Sequence, residues 1–363
     1  MANTTSTDFL VRRDALGETK FVEVPIPASL GDGEVLFKID RFGFSANNIT
    51  YAVMGEMMAY WNFFPAEEGF GRIPVWGFGE VISSSVKGLK EGERFYGYWP
   101  MSSHYLACAA KVDEGGFTET SPSRVELPSA YNRYVRLSAD PGYRSDKEAE
   151  HMLLQPLFMT SFLIDDFLVE EETFGANVVL ISSASSKTAI ALAYMLSRRE
   201  GPQVVGLTSA GNKDFVQGLG FYDRVATYDE ISSLDAGERV TYVDMSGDGD
   251  IRAAIHNHYT DNLAYDCAVG ATHYDKLGGD DTLPGPAPQL FFAPDQAKKR
   301  VGEWGAMGLQ SRVADAWLAF VNSSGAWMDV SPAMGKDAVR AVYLETLSGK
   351  ASPRVGFTLS LYD

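Results

Sequence analysis

Between residues 178 and 229 the chain alternates short β-branched runs with longer Ala- and Leu-rich runs, and no other stretch restricts the fold as much. VVLI opens it, a loop of small residues SSASS follows, and KTAIALAYML then places apolar residues at helical spacing (residues 178–196). QVVGLTS (203–209), NKDFVQGLG (212–220) and DRVATYD (223–229) repeat the alternation. The order predicts strand, tight turn, helix, strand, helix, strand. Such βαβαβ units build a doubly wound parallel sheet, in which the turn after the first strand carries the ligand.

That turn is unusual. A phosphate-bearing nucleotide is held there by free backbone N–H groups and the positive end of the helix dipole. A dinucleotide fingerprint asks for glycine at the tight turn, at the closest approach to the pyrophosphate and at the helix–strand contact. Ser183, Ser186 and Ala189 occupy those places. Alanine suits the third; serine carries a Cβ and resists positive φ at the first two. The expected phosphate contacts are Ser185, Ser186, Lys187 and Thr188. Lys187 meets a phosphate or solvates the helix start. SSKT resembles the end of a P-loop but lacks both glycines that motif needs. The plainer reading is a Rossmann-like unit that binds no nucleotide.

At 363 residues the chain is long enough for two cored domains. A net charge of −17 repels phosphate backbones and anionic lipid, so neither nucleic acid nor membrane is an expected partner. No run of about 18 apolar residues is present. The start, MANTTSTDFLVRRD, lacks the apolar core of a signal peptide, and two cysteines, Cys108 and Cys267, form no disulfide framework. The expected compartment is the cytoplasm.

Residues 1 to about 145 carry FVEVPIP, EVLFKIDRFGFS, VWGFGEVISSS and ERFYGYWP, short Val-, Ile-, Phe- and Tyr-rich runs separated by Gly, Pro and Asp. They predict a β-barrel or sandwich. YRSDKEAEHM (143–152) predicts a helix opening at the domain boundary. The β/α alternation continues through VTYVDMS, IRAAIHNHY, LAYDCAVGA and QLFFAP, with a loop at 278–288. Residues 297–321 predict one long helix, with Gly302, Gly305 and Gly308 against it. The tail predicts a strand WMDV, a helix DAVRAVYLETLSG and a last strand VGFTLSL.

A β-rich domain, a Rossmann domain and a short return segment resemble the medium-chain dehydrogenase/reductase superfamily. Residues 33–36 (GEVL) with 41–45 (RFGFS) resemble its "G-E-V-L-V … G-L-N" opening, and residues 87–94 (KGLKEGER) its "V-K-G-F-K-V-G-D-R-V" turn. Residues 157–162 resemble its "L-…-T-A-Y" entry to the cofactor domain, 219–223 (LGFYD) its "L-G-A-D", and Val243-Asp244 the "V-D" of its fourth strand. The chain looks most like the zinc-independent, quinone-oxidoreductase-like branch, within a bacterial subfamily known mainly as a domain of unknown function. The resemblance implies a GroES-like catalytic domain over residues 1–146 and 326–363 and a Rossmann cofactor domain over residues 147–325.

Ligand count argues against a metal. Ser45 stands near the place of the first catalytic zinc ligand, two cysteines cannot build a four-cysteine lobe, and His104 with Cys108 is a lone pair. A short-chain dehydrogenase is excluded by spacing, since the only Tyr-x-x-x-Lys pair, Tyr143 with Lys147, precedes the turn.

The second strand ends Thr208-Ser209-Ala210-Gly211-Asn212-Lys213, with no carboxylate for a ribose diol before Asp214. Hydroxyls, an amide and a cation suit the 2′-phosphate of NADP. Lys213 and Tyr228 fall where prostaglandin-reductase-like members carry a Lys and a Tyr on that phosphate. The resemblance implies NADP(H), with Thr208, Ser209, Thr160 and Gly270 also at the cofactor, and hydride transfer to an enone, quinone or carbonyl. Residues 45–51 match the family's active-site loop; Asn48 orients or donates and Tyr51 acts as acid, or packs on the barrel. Met and aromatic residues following Tyr51 line an apolar substrate pocket or belong to the core. The competing expectation is a Rossmann-type protein without redox chemistry, a binding module or a lyase. A homodimer is expected through an exposed sheet edge at residues 290–293 (LFFA).

Overall fold

Glycine and aromatic residues alternate along the N-terminal strands, and together they close a barrel. The computed structural model describes residues 5–269 and 283–363. It divides into two units, Met1–Leu153 with Met328–Asp363, and Leu154–Trp327. The first unit begins with β1 (Thr5–Arg12), β2 (Ala15–Pro25), β3 (Glu34–Phe44), α1 (Ala46–Val53) and β4 (Phe70–Gly71). β5 (Pro74–Ser84), β6 (Arg94–Pro100), β7 (His104–Asp113), β8 (Gly116–Glu119) and β9 (Arg133–Arg136) follow. β3, β5, β6, β9, β8 and β7 are neighbours in that order, and β7 pairs back onto β3, leaving Phe37 opposite both Val81 and Tyr105. Closure removes the exposed edges an open sheet would have.

Rings fill the inside. Phe37 lies 5.0 Å from Trp99 and 5.6 Å from Phe117, which stacks on Tyr134 at 4.9 Å. Gly116 makes the β8–β9 approach feasible, because at φ +141° a Cβ would sit 1.9 Å from the Tyr134 carbonyl oxygen. A fully buried ion pair sits among these rings, Arg124 Nε 3.1 Å from Glu119 Oε2. It is tolerated because its donors are taken: Arg124 also donates to Asn132 Oδ1 at 2.9 Å, to the Tyr134 hydroxyl at 2.9 Å and to the Tyr131 carbonyl.

The second unit is the doubly wound sheet. α2 (Glu148–Glu170) leads into β10 (Val178–Ile181), α3 (Lys187–Leu196), β11 (Gln203–Thr208), α4 (Lys213–Gly218) and β12 (Arg224–Thr227). β13 (Val240–Asp244), α5 (Gly249–Tyr259), β14 (Leu263–Ala268) and β15 (Gln289–Leu290) complete it. All strand pairs are parallel, in the order β12-β11-β10-β13-β14-β15. The predicted βαβαβ unit is present strand for strand. β15 is shorter than QLFFAP implies, and it forms one edge of the described sheet.

α6 (Ala293–Ser323) outruns its expected length at both ends, but Gly305 (φ 75°, ψ 160°) breaks its helical path, at one of the three doubtful glycines. After it come β16 (Asp329–Met334), α7 (Lys336–Leu347) and β17 (Val355–Ser360), which return to the first unit and extend its sheet through β3. α2 is long and apolar enough to cross a membrane by length and composition; 56% of its most apolar stretch is buried in the fold. Asp165 and Asp166 interrupt its apolar run and pair with Arg199 and Arg300.

Glu148, at the start of α2, gathers Arg94 Nη1 at 2.6 Å, the Tyr143 hydroxyl at 2.7 Å and Arg41 Nη2 at 2.9 Å. Burial opposes its ionisation, but the hydrogen bonds from Arg94 and Tyr143 and the charges of both arginines outweigh it, so its pKa lies below the ordinary value. A depressed carboxyl pKa stabilises the fold above the ordinary range and stops doing so as pH falls through it. Glu148→Gln is expected to cost roughly 1–2 kcal/mol at pH 7 by urea unfolding, with the gap to wild type closing below about pH 4. A gap that stays constant down to pH 3 would assign the residue to packing.

Candidate functional site

At the carboxyl end of β10 the chain turns sharply into α3. Ser183 takes φ +47°, the left-handed region that the first fingerprint place requires, although it carries a Cβ. Its N–H donates to the Tyr228 hydroxyl at 3.1 Å, and its carbonyl accepts the Ser186 N–H at 2.7 Å. Ser186 departs from the glycine pattern differently. Its φ is −73°, and its hydroxyl oxygen accepts the Ala189 N–H at 3.3 Å, so it serves as the N-cap of α3. Tyr222 braces the turn by donating to the Ala184 carbonyl at 2.9 Å. Gly206 on β11 leaves room for that brace, since a Cβ there would lie 2.8 Å from the Tyr222 ring and 2.9 Å from Ala184.

Three strand ends meet at this place. Asn212, after β11, donates to the Ser185 hydroxyl at 3.2 Å. Lys213 opens α4 and holds Glu230 through both carboxylate oxygens, at 2.9 and 2.7 Å. Glu230 lies in the short turn after β12, where its Oε2 also accepts the Thr227 N–H at 2.8 Å. The hydrogen bond from Lys213 is the main reason that the Glu230 carboxyl titrates below its usual range. Thr208, the last residue of β11, is buried, whereas Ser209 is exposed. Of the expected cofactor residues, Tyr228 touches the turn at Ser183 and Ser185 is tied to Asn212, next to Lys213; Thr208 and Ser209 end β11, and Ser186 opens α3.

The N–H groups of Ser185 and Thr188 have no protein acceptor among the described residues. They belong to the first turn of a helix whose opening donors are unsatisfied within the helix. Lys187 is half-buried there, and burial pushes its pKa down to about 8. Thr160 lies on α2 and is half-buried; its neighbour Ser161 donates to the Thr188 carbonyl at 2.7 Å and fixes α2 to the start of α3. Beside the turn, the buried Ser182 hydroxyl donates to Asp244 Oδ1 at 2.9 Å, and Asp244 also pairs with Arg252. Gly270 lies outside the described residues.

In the first unit, α1 carries the two expected catalytic residues. Asn48 is buried and committed to the backbone: its amide oxygen accepts the Ser45 N–H at 2.9 Å, and its amide nitrogen donates to the Pro74 carbonyl at 3.1 Å. It fixes the start of the helix. Tyr51 is buried in a cluster of phenols, 4.6 Å from Tyr60 and 5.7 Å from Tyr98. The Tyr60 and Tyr131 hydroxyls lie 3.4 Å apart, and Trp76 packs 4.9 Å from Tyr98. Burial, then the proximity of Tyr131, pushes the Tyr51 phenol well above its ordinary pKa. Two buried donors in this cluster, Trp76 Nε1 and the Tyr98 hydroxyl, make no hydrogen bond of ordinary geometry among the described residues, and both lie beside the Tyr51 hydroxyl.

His104 and Cys108 lie four residues apart along β7, an extended segment, and the His104 Nδ1 is 2.9 Å from the Ser103 hydroxyl. Among the described residues no three His, Cys, Asp or Glu side chains come together as a metal site. Tyr143 and Lys147 are each engaged with a carboxylate, Glu148 and Glu150.

Sequence reasoning missed Glu230 and the Ser182–Asp244 contact, and had Asn212 only as an amide beside Lys213. A signal for Glu230 was present: Thr227-x-x-Glu230 is a capping box, and the structure shows both of its arms. What was not readable is that the same carboxylate meets Lys213, 17 residues earlier on another loop.

A family model described as "Protein of unknown function (DUF2855)" matches residues 42–352. No curated protein matches the chain. Among solved structures, a mutant enoyl thioester reductase from Candida tropicalis aligns at 12% identity over 98% of this chain and 99% of that one, with a TM-score of 0.58. CurA from Vibrio vulnificus, solved with NADPH, aligns at 12% identity with the same coverages and TM-score. The yhdH oxidoreductase from Salmonella enterica, solved with NADP, gives 14% identity, 98% and 99% coverage and a TM-score of 0.55. At such identities the likeness establishes the two-domain fold expected from the resemblance.

The strain at Ser183 is open to direct measurement. Ser183→Gly should stabilise the protein by roughly 0.5–1 kcal/mol, because glycine adopts positive φ without the Cβ conflict. Ser186→Ala should cost about 1 kcal/mol through the lost cap. Destabilisation by Ser183→Gly in denaturant titration would show that the serine side chain, not the backbone, is what the turn needs.

Proposed function

We propose that this chain, which belongs to the DUF2855 family, is an NADPH-dependent reductase that works without zinc on the enone, quinone or carbonyl group of a fairly apolar small molecule. One observation carries the reading: the ends of β10, β11 and β12 are tied together around uncommitted helix-start amides and a lysine. Open parallel sheets hold nucleotides at that place, where the strand order reverses. The solved CurA and yhdH structures, which share the fold, contain NADPH and NADP.

In this reading the N–H groups of Ser185 and Thr188, with Lys187, hold the pyrophosphate, and the Ser186 hydroxyl adds a donor while its oxygen caps α3. Lys213 and Tyr228, with Ser209, hold the 2′-phosphate; Thr208 shapes the end of β11, Thr160 faces the nicotinamide, and Gly270 belongs to the same cofactor-binding set. NADPH supplies a hydride when bound. The chain's own part is to hold the acceptor oxygen as negative charge develops on it. Tyr51 donates to that oxygen, its phenol kept protonated by burial. Trp76 Nε1 and the Tyr98 hydroxyl, buried beside Tyr51, are further donors for the same oxygen. Asn48 positions Tyr51 by anchoring α1.

A second reading, a protein of this fold that binds ligands without redox chemistry, is favoured by the turn itself, where Ser183 and Ser186 stand in place of the fingerprint's glycines. A melting series separates the two. NADPH at about 100 times its dissociation constant should stabilise the protein by roughly 2.7 kcal/mol. NADH at the same concentration should raise the melting temperature less. Lys213→Ala should weaken NADPH by roughly 1.5–3 kcal/mol and leave NADH nearly unchanged. No shift with either nucleotide at millimolar concentration contradicts the reductase reading.

The chain is proposed to act in the cytoplasm, where free thiols such as Cys108 and Cys267 persist, and to pair as a homodimer through β15. β15 is a sheet edge with Leu290 and Phe292 exposed beside it. Light scattering at micromolar concentration should give twice the chain mass of 39.7 kDa; a monomer would count against the edge as an interface.

A further inference from the structure

The Lys213 ammonium is already held by both oxygens of Glu230, at 2.9 and 2.7 Å. A 2′-phosphate approaching Lys213 therefore meets a carboxylate of like charge on the same cation. A nucleotide with a plain ribose diol meets a carboxylate oxygen, the kind of acceptor that NAD sites offer from the end of the second strand and that here stands after the third, β12. Both partners are accessible, with Lys213 29% and Glu230 45% exposed at the side chain, so the pair can exchange for a ligand.

Glu230 is not loosely placed. Its Oε2 caps the Thr227 N–H at 2.8 Å, and the turn it caps also carries Tyr228, whose hydroxyl accepts the Ser183 N–H at 3.1 Å. The carboxylate thus stands on the same short segment that joins the phosphate turn to the end of β12. Asp229, its exposed neighbour, makes no such contact with Lys213.

We infer that Glu230 sets the choice between phosphorylated and unphosphorylated nicotinamide nucleotide, by neutralising Lys213 and offering its own oxygen to a ribose diol. The inference rests on the nucleotide reading of this site and adds to it a residue that restrains NADPH preference. Glu230→Gln keeps an oxygen that can cap Thr227 and removes only the charge. Lys213 is then released toward a 2′-phosphate, and the diol loses its anionic acceptor.

Titration of the full-length protein by nicotinamide fluorescence tests this, with NADPH and NADH as probes and three proteins: wild type, Glu230→Gln and Asp229→Asn. Thermal melting without ligand confirms that each variant is folded. Glu230→Gln should tighten NADPH about tenfold, leave NADH unchanged or weaker, and so widen the ratio of dissociation constants by at least tenfold. Asp229→Asn should leave that ratio at the wild-type value. Equal tightening of both nucleotides, or equal effects of the two variants, would show a general loss of negative charge and overturn the role of Glu230. An unchanged Glu230→Gln ratio, with wild type binding both nucleotides, overturns it as well while leaving the nucleotide reading intact. Failure of wild type to bind either nucleotide overturns the nucleotide reading and the inference with it.

Discussion

Everything at the candidate site depends on the reversal of strand order at β10. This strand pairs with β11 on one side and β13 on the other, and all four of its residues are buried. The connections leaving the two neighbours go to opposite faces of a doubly wound sheet, so a crevice opens where β10 ends. The chain must leave that end through a turn too tight for ordinary backbone angles. Ser183 at φ +47° is the consequence, and the hydrogen bonds from Ser183, Ser186 and Tyr222 hold the turn despite the Cβ. Strain that persists inside a well-bonded turn is a feature of functional sites.

The fold was readable because its signals are local. Residues 178–181 are apolar and short, residues 187–196 are helical in period, and their alternation leaves one parallel arrangement. The closed β-rich unit was readable as a barrel or sandwich from its Val, Ile and aromatic runs, but the pairing of β7 back onto β3 was not, because it joins segments some seventy residues apart. α6 shows the limit of periodicity: its three glycines flagged trouble, and one of them, Gly305, breaks the helix.

The site was readable only in outline. Lys213 and Tyr228 were picked by position; Tyr228 accepts the Ser183 N–H of the turn, and Lys213 pairs with Glu230, two residues after Tyr228. Glu230 was missed, and the contact of Asn212 with Ser185 was not foreseen, because both depend on contacts between separate loops, which no local pattern records. Serine at the second fingerprint place looked like a lost glycine; it is a helix cap, a different solution to the same unsatisfied amides. Asn48 presents the reverse case. It was read as a residue that orients or donates, and both arms of its amide serve the backbone. Buried polar side chains are more often holding a backbone in place than reacting, and burial with full hydrogen bonding is the mark of that role.

The central claim is that a turn without glycine still receives the pyrophosphate of NADPH. Crystals grown with NADPH test it most directly. The account predicts electron density for the pyrophosphate within hydrogen-bond distance of the Ser185 and Thr188 N–H groups, and the 2′-phosphate on Lys213. Density for the nucleotide elsewhere on the molecule, or an ordered turn at residues 183–188 with the nucleotide absent at millimolar concentration, would contradict it.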